Sequence, residues 1–364
     1  MKKKVLVVAG ARPNFMKIAP LMKQFAKSSK FQALLVHTGQ HYDYKMSKIF
    51  FENLHIHAPD IYLRVGSASH AVQTAKIMES FEKVLIKEKP DLVMVVGDVN
   101  STLACSLTAA KLGVKTAHVE AGLRSFDRRM PEEINRLVTD ALSDYLFVSE
   151  ESGLKNLKKE GVSPAKVYFV GNIMIDTLLD NMPAIERSLI LKKLGIKPKT
   201  YGAMTLHRPG NVDSRKALEQ IYTILKEVTR KTVIIYPLHP RTKKMIEKHK
   251  FLAKFKALKN LRMIEPLGYI NFVKLVKNSC FVLTDSGGIQ EETSVLNIPC
   301  LTMRENTERP LTITEGTNYL VGRDKKEIMA KINIVLTGKA KKKRTLTLWD
   351  GKTAQRIMGA LKKL

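Results

Sequence analysis

Three acidic residues carry the clearest chemistry in this 364-residue chain. The apolar run Asp91–Gly97 ends in Asp98, the run Lys115–Val119 ends in Glu120-Ala121-Gly122-Leu123-Arg124, and Pro131-Glu132-Glu133 opens a helix soon after. In a chain whose 62 Lys and Arg outnumber 34 Asp and Glu, for a net charge of +28, acids collected at strand ends ask for a use. General acid–base chemistry is the usual one where a charged ligand is handled. Taken singly, Glu132 reads better as the acid that favours a helix start after proline.

A second constellation is Thr284-Asp285-Ser286-Gly287-Gly288-Ile289-Gln290-Glu291-Glu292, after the short apolar run Ser279–Leu283. Glycines at a strand-to-helix turn let a ligand approach bare backbone, and a helix start offers unpaired N–H groups to a phosphate. The spacing predicts two glutamates in the first helical turn, one of which would reach past a phosphate to ribose hydroxyls. The pattern points to a nucleotide diphosphate carrying a sugar; the plain alternative is an ordinary strand-to-helix connection with acids at its start. Cations stand at other strand ends: Arg12 and Lys17 after the first, His207-Arg208 and His239-Pro240-Arg241 in the second half, and Arg309 in Thr307-Glu308-Arg309-Pro310. No Gly-x-Gly-x-x-Gly or Walker loop is present.

Parallel strands alternating with amphipathic helices must position these groups. Strands are expected at 4–9, 33–37, 91–97, 115–119, 145–148 and 167–170, then at 203–206, 232–236, 262–264, 280–283 and 300–302. Continuous apolar strands alternating with helices indicate parallel sheets covered on both faces. The class is α/β, two doubly wound domains, residues 1–170 and residues 171–351, followed by a last helix over 352–364. A hinge is expected near Gly171, with a cleft between the domains.

Composition narrows the class further. The lysines spread along helix faces and the tail (Lys341, Lys342, Lys343) without interleaved aromatics, which speaks for a solvated basic surface rather than nucleic-acid binding. Cys105, Cys280 and Cys300 lie far apart in apolar segments and read as reduced, buried thiols. His55-x-His57 reads as incidental rather than as a metal site. The apolar run after Met-Lys-Lys-Lys is too short for a secretory signal, and no stretch approaches a membrane span, so a soluble, cytoplasmic protein is expected.

Taken together, Gly10-Ala-Arg12-Pro-Asn-Phe-Met-Lys17, Thr38-Gly-Gln-His41, Val96-Gly-Asp98, His118-Val-Glu120-Ala-Gly-Leu-Arg124, Pro131-Glu132-Glu-Ile-Asn-Arg136, Thr284 to Glu292 and Thr307-Glu-Arg309-Pro310 resemble the non-hydrolysing UDP-N-acetylglucosamine 2-epimerases, in order over nearly the whole chain. The resemblance implies a GT-B fold of two Rossmann-like domains in which the last helix, 352–364, joins the first domain, a homodimer, and interconversion of UDP-GlcNAc and UDP-ManNAc for surface polysaccharide or glycan synthesis, with no nicotinamide or other cofactor and no metal. It also implies roles. Asp98, Glu120 and Glu132 match the catalytic carboxylates, while Arg12, Lys17 and His207 lie where phosphate and developing charge are handled. Ser286, Gly287 and Gly288 match the diphosphate loop, Glu292 the ribose ligand, Arg309 a further substrate contact, and Phe272 the uracil pocket.

The chain departs from the best-known bacterial branch at Leu267, at His239-Pro-Arg-Thr, and over Arg64-Val-Gly66-Ser-Ala-Ser-His70, where that branch carries an Arg-Gln pair of a second UDP-GlcNAc site; Gln40 and His41 are kept. Two other enzyme readings share the fold: a 2-epimerase of UDP-2,3-diacetamido-2,3-dideoxy-glucuronate, and a GT-B glycosyltransferase. The uronate would add a carboxylate at C6 and call for one more cation, with Arg124, Arg128, Arg129 and Arg136 as candidates.

Overall fold

A computed structural model of the chain describes residues 2–40, 54 and 56–363, the side chain of Arg12 excepted. Among these residues the chain divides into two compact units, one of Met1–Asp180 with Thr347–Leu364 and one of Asn181–Leu346. Gly171 therefore lies inside the first unit.

The first unit is built on a seven-stranded parallel sheet of β1 (Lys3–Ala9), β2 (Phe31–His37), β3 (Ile61–Tyr62), β4 (Leu92–Val96), β5 (Thr116–Ala121), β6 (Tyr145–Val148) and β7 (Val167–Phe169). Their spatial order is β3-β2-β1-β4-β5-β6-β7. The central strands are buried along nearly their whole length, as strands covered on both faces must be. Leu6, Val8, Val36, Val93 and Val95 pack against Ile77, Phe81 and Leu85 of one helix and Ala104, Cys105 and Ala109 of the next. The first of those helices, His70–Glu88, buries Gln73, Ile77, Phe81 and Leu85, a stripe with four-residue spacing. Ser69 caps its start and Lys89 ends it in the left-handed region.

The second unit carries a six-stranded parallel sheet of β8 (Tyr201–Thr205), β9 (Val233–Pro237), β10 (Leu261–Ile264), β11 (Phe281–Thr284), β12 (Cys300–Thr302) and β13 (Asn318–Leu320), ordered β10-β9-β8-β11-β12-β13. Met204, Ile234, Tyr236, Phe281, Leu283 and Leu301 form its core with Leu218, Ile221, Leu225 and Val228 of helix Arg215–Val228. Among the described residues no helix is long and apolar enough to cross a membrane.

Several expectations are corrected. β3 and β13 join the sheets as edge strands of two and three residues, held by backbone pairing to β2 and β12 rather than by an apolar run of their own. The residues after Asp180, which lie between the two sets of expected strands, fold into two short helices, Met182–Arg187 and Ile190–Leu194. Cys105 and Cys300 are buried, but Cys280 sits just before β11 and is only half-buried, its Sγ donating to the Lys199 carbonyl at 3.0 Å.

The last helix, Thr353–Leu361, packs on helices Arg12–Ala26 and Ile173–Asp180. Its start is capped from outside. The buried Asp176 carboxylate accepts from Thr353 N at 3.1 Å and Ala354 N at 2.7 Å, and Trp349 Nε1 donates to the Ser149 carbonyl at 3.1 Å. Replacing Asp176 with Ala removes the acceptor from two buried N–H groups and is expected to cost roughly 1–3 kcal/mol in urea or thermal unfolding. Asp176→Asn, which keeps one acceptor, should lose less. Unchanged melting of the Ala variant would show that the clamp contributes nothing.

Candidate active site

Each sheet has one place where its strand order reverses: between β1 and β4 in the first unit, and between β8 and β11 in the second. Connections leave these neighbours in opposite directions, opening a crevice beyond their carboxyl ends, where ligands of such sheets bind. Asp98 and Glu120 stand at the carboxyl ends of β4 and β5 beside the first of these points, and His207 and Ser286 follow β8 and β11 at the second.

In the first unit, Asn14 closes the switch. Its Oδ1 accepts from Gly10 N at 3.0 Å and Ala11 N at 2.9 Å after β1, while its Nδ2 donates to the Val96 carbonyl of β4 at 2.9 Å. Arg12 is the first residue of helix Arg12–Ala26, and its side chain lies outside the described residues, as does His41. Lys17 lies one turn further on. It is buried and ion-paired with Glu120 Oε2. Glu120 does not follow β5. It lies inside the strand, at a register shift between Val119 and Ala121, with φ of +73°. A non-glycine residue in the left-handed region is held there by its surroundings, here at a bulge that re-aims the side chain. Gly97, with φ of +69°, makes room, since a Cβ there would come within 2.6 Å of Lys17 Nζ.

Asp98 follows directly and is half-buried. Arg136 Nη1 donates to its Oδ2 at 2.5 Å, and Asn135 Nδ2 donates to its carbonyl at 2.9 Å. Glu132 is half-buried at the second position of helix Pro131–Leu142. The adjacent Glu133 turns inward and accepts from Ser125 N and Phe126 N, both at 2.9 Å, and from Arg136. Burial alone would raise the Glu133 carboxyl; the Ser125 amide and the Arg136 cation outweigh it and hold it below its ordinary range.

A buried polar network is built on His118 of β5 and Arg124, which the motif reading quoted but assigned no structural partner. His118 Nδ1 meets Asp140 Oδ1 at 2.6 Å and its Nε2 meets the Gly97 carbonyl at 2.8 Å. Asp140 also accepts from Gly122 N at 2.9 Å and pairs with Arg124 at 2.7 Å, whose guanidinium reaches Glu160 as well. Burial raises the Asp140 carboxyl, but the His118 and Arg124 charges pull it below its ordinary range. These contacts fix the peptides at Gly97 and Gly122, on either side of Asp98 and Glu120.

In the second unit, Asp285 does what Asn14 does in the first. It is fully buried after β11 and accepts from His207 N at 3.1 Å, Arg208 N at 2.9 Å and Asn211 Nδ2 at 3.0 Å. His207 Nδ1 lies 3.1 Å from its Oδ1, with the His207 ring partly exposed and 5.3 Å from the His239 ring. Burial would raise the Asp285 carboxyl; the His207 hydrogen bond and charge overcome that and lower it. A carboxylate on Nδ1 fixes the imidazole tautomer and aims Nε2 outward.

Ser286, Gly287 and Gly288 follow as a half-buried turn into helix Gly287–Leu296. Because both glycines are already at its start, Glu291 and Glu292 fall in the second turn, not the first. Gly287 has no room for a side chain, since a Cβ would lie 2.9 Å from Glu308 Oε1 and 3.1 Å from Arg309 Nη1. Arg309 is buried and engaged twice, with Glu291 at 2.7 Å and Glu308 at 2.5 Å. Phe272, on helix Tyr269–Lys277, packs half-buried with Leu267 on a cluster that includes Leu275 and Ile289. Among the described residues no group of three or more His, Cys, Asp or Glu is placed to hold a metal.

Glu292 is buried and accepts from the Tyr269 hydroxyl at 2.9 Å. Burial pushes its carboxyl up to about 7, against that hydrogen bond and with the Glu291 charge adding to the rise. From the ordinary value of 4.5 up to about 7 the unfolded chain loses this proton while the folded one keeps it, so stability through this group falls as pH rises across that window. Glu292→Gln cannot ionise. Its melting temperature relative to wild type should therefore climb between about pH 5 and about pH 8. A constant difference over that range would show that the carboxyl is not raised.

Comparison with known proteins agrees with this layout. The family model described as UDP-N-acetylglucosamine 2-epimerase matches residues 23–362. A Methanococcus maripaludis protein called a UDP-N-acetylglucosamine 2-epimerase homolog is 46% identical over 91% of this chain and 92% of its own. A Pseudomonas aeruginosa UDP-2,3-diacetamido-2,3-dideoxy-D-glucuronate 2-epimerase is 41% identical over 88% of each. The crystal structure of Methanocaldococcus jannaschii UDP-GlcNAc 2-epimerase with UDP-GlcNAc and UDP superposes with a TM-score of 0.92 at 41% identity, covering 99% of this chain and all of that one. With two parallel-sheet units of GT-B-like type and a match over nearly its whole length, the chain belongs to the UDP-N-acetylglucosamine 2-epimerase family.

Proposed function

We propose that the protein interconverts UDP-N-acetylglucosamine and its C2 epimer, UDP-N-acetylmannosamine. The observation that carries the chemistry is that Asp98 and Glu120, at the ends of adjacent strands, are each paired with a separate buried cation, Arg136 and Lys17. A base at C2 and an acid on the opposite face are what the reaction requires. One carboxylate takes the C2 proton as the C1–O bond breaks and its electron pair leaves with UDP. This forms a C1=C2 double bond in 2-acetamidoglucal. A second group protonates C2 from the other face, and UDP returns to C1. Asp98, Glu120 and Glu132 are assigned the proton transfers. Arg12 and His207 are assigned the leaving diphosphate, and Lys17 acts through Glu120 rather than on phosphate. In the second unit the Ser286-Gly287-Gly288 turn holds diphosphate, Glu292 the ribose and Phe272 the base, with Arg309 shaping the turn from beneath. The homodimer and cytoplasmic setting implied by the family resemblance belong to the same proposal.

The pairing of the candidate cations supports the choice of sugar. Arg124 is committed to Asp140 and Glu160, and Arg136 to Asp98 and Glu133. Arg129 pairs with Asp127 at the surface and Arg128 is exposed. None of the four is left inside the first unit for a C6 carboxylate, and an unpaired buried carboxylate is costly, which favours UDP-GlcNAc over the uronate.

In heavy water, with UDP-GlcNAc alone and no acceptor, proton NMR should show deuterium entering C2 of both epimers. Interconversion with full retention of the C2 proton would sink the elimination scheme. Asp98→Asn, Glu120→Gln and Glu132→Gln should each lower kcat by about 100-fold or more, the scale of one lost proton-transfer group; near-normal turnover in all three would remove the proposed site. Finally, kcat/KM for UDP-GlcNAc should exceed that for the diacetamido-uronate. A preference for the uronate of more than about 10-fold, or about 1.4 kcal/mol, would reverse the substrate assignment.

A further inference from the structure

Arg136 is among the largest fully buried side chains of the protein, and its position bears on two candidate catalytic acids at once. Its Nη1 donates to Asp98 Oδ2 at 2.5 Å, while its Nη2 and Nε donate to Glu133 Oε2 at 2.5 and 3.0 Å. Glu133 in turn holds Ser125 N, Ser125 Oγ and Phe126 N, the last belonging to a residue with φ of +58°. The same helix fixes the Asp98 backbone through Asn135 and the Asp98 carbonyl at 2.9 Å. A fork of two donor edges can serve two carboxylates in one plane; a lysine offers no such edges.

We propose that Arg136 is the positioning residue that ties Asp98 to the helix turn carrying Glu132. It holds the Asp98 carboxylate directly. It holds the first turn of helix Pro131–Leu142 through Glu133, so the carboxylates assigned to C2 keep a fixed separation while the sugar moves between its two epimers. The guanidinium touches no reacting atom; it acts through Asp98. This rests on the epimerase reading above.

The test is a double-mutant cycle on the full chain, with C2 deuterium exchange and epimer formation from UDP-GlcNAc as readouts. Arg136→Met should lower kcat by about 30-fold or more with KM within about 3-fold, the pattern of an interaction made in the transition state. Arg136→Lys should recover only part of that loss. Because both changes act on one carboxylate, Arg136→Met combined with Asp98→Asn should be no slower than Asp98→Asn alone by more than about 3-fold. Losses that multiply, a raised KM with kcat intact, or full activity in Arg136→Lys would each overturn the assignment. If Arg136→Met does not fold, Arg136→Lys carries the cycle with the same expectation. A wild-type protein that turns over UDP-GlcNAc while Arg136→Met matches it removes this inference and leaves the epimerase reading. A wild type that turns over neither UDP-GlcNAc nor the uronate removes both.

Discussion

One buried polar side chain stands at the switch point of each sheet, and the candidate site is organised around it. Asn14 ties the turn after β1 to the last carbonyl of β4, and Asp285 ties the turn after β8 to its own place after β11. A parallel sheet leaves the terminal N–H and C=O groups of neighbouring strands diverging there, and buried backbone groups must find partners. By supplying those partners from side chains, the fold keeps the crevice open without leaving it unsatisfied. In the first unit the amide uses both its donor and its acceptor; in the second, the carboxylate only accepts, and it is surrounded by N–H groups and one imidazole. That difference suits the neighbours. A neutral anchor sits beside the Glu120 and Asp98 carboxylates, while an anionic one sits beside His207.

Much of this was legible in the chain. Apolar strands ending in a polar residue mark their carboxyl ends, so Asp98, His207 and the Ser286-Gly287-Gly288 turn could be placed there without coordinates, whereas the strand order that makes these ends a switch point could not. Glu120 was legible as a chemical group but not as a conformation. A strand that bulges at its final residues has the same composition as one that simply ends, and only tertiary packing around Gly97 and Lys17 forces the positive φ. The edge strands β3 and β13 escaped for the opposite reason: their pairing comes from neighbours and needs no apolar signature. The offset of Glu291 and Glu292 has a local cause, since glycines read as turn were recruited into the helix.

The partners of the cations were the least legible. Lys17 and Arg309 carry the spacing of ligand-binding residues, yet each is buried against acids of its own unit. Pairing of this kind joins residues far apart in the chain, such as Lys17 with Glu120, and no local pattern encodes it. The motif reading singled out Glu291 and Glu308 only as members of a run, whereas they set where Arg309 lies and thereby the bare backbone at Gly287.

The net charge of +28 therefore says little about the site. The excess is carried largely by exposed lysines, while four arginines inside the units are absorbed by carboxylates: Arg124 by Asp140 and Glu160, Arg136 by Asp98 and Glu133, Arg304 by Glu308, and Arg309 by Glu291 and Glu308. A guanidinium is planar and weakly hydrated, so it can bridge two carboxylates at lower desolvation cost than an ammonium. Lys17 is the exception, and it meets a single carboxylate beside Gly97, where the missing side chain leaves room for its ammonium. Buried ion pairs contribute little net stability, but breaking one strands its partner. Their value here is geometric, because each fixes an acid or a turn to within a hydrogen bond's tolerance.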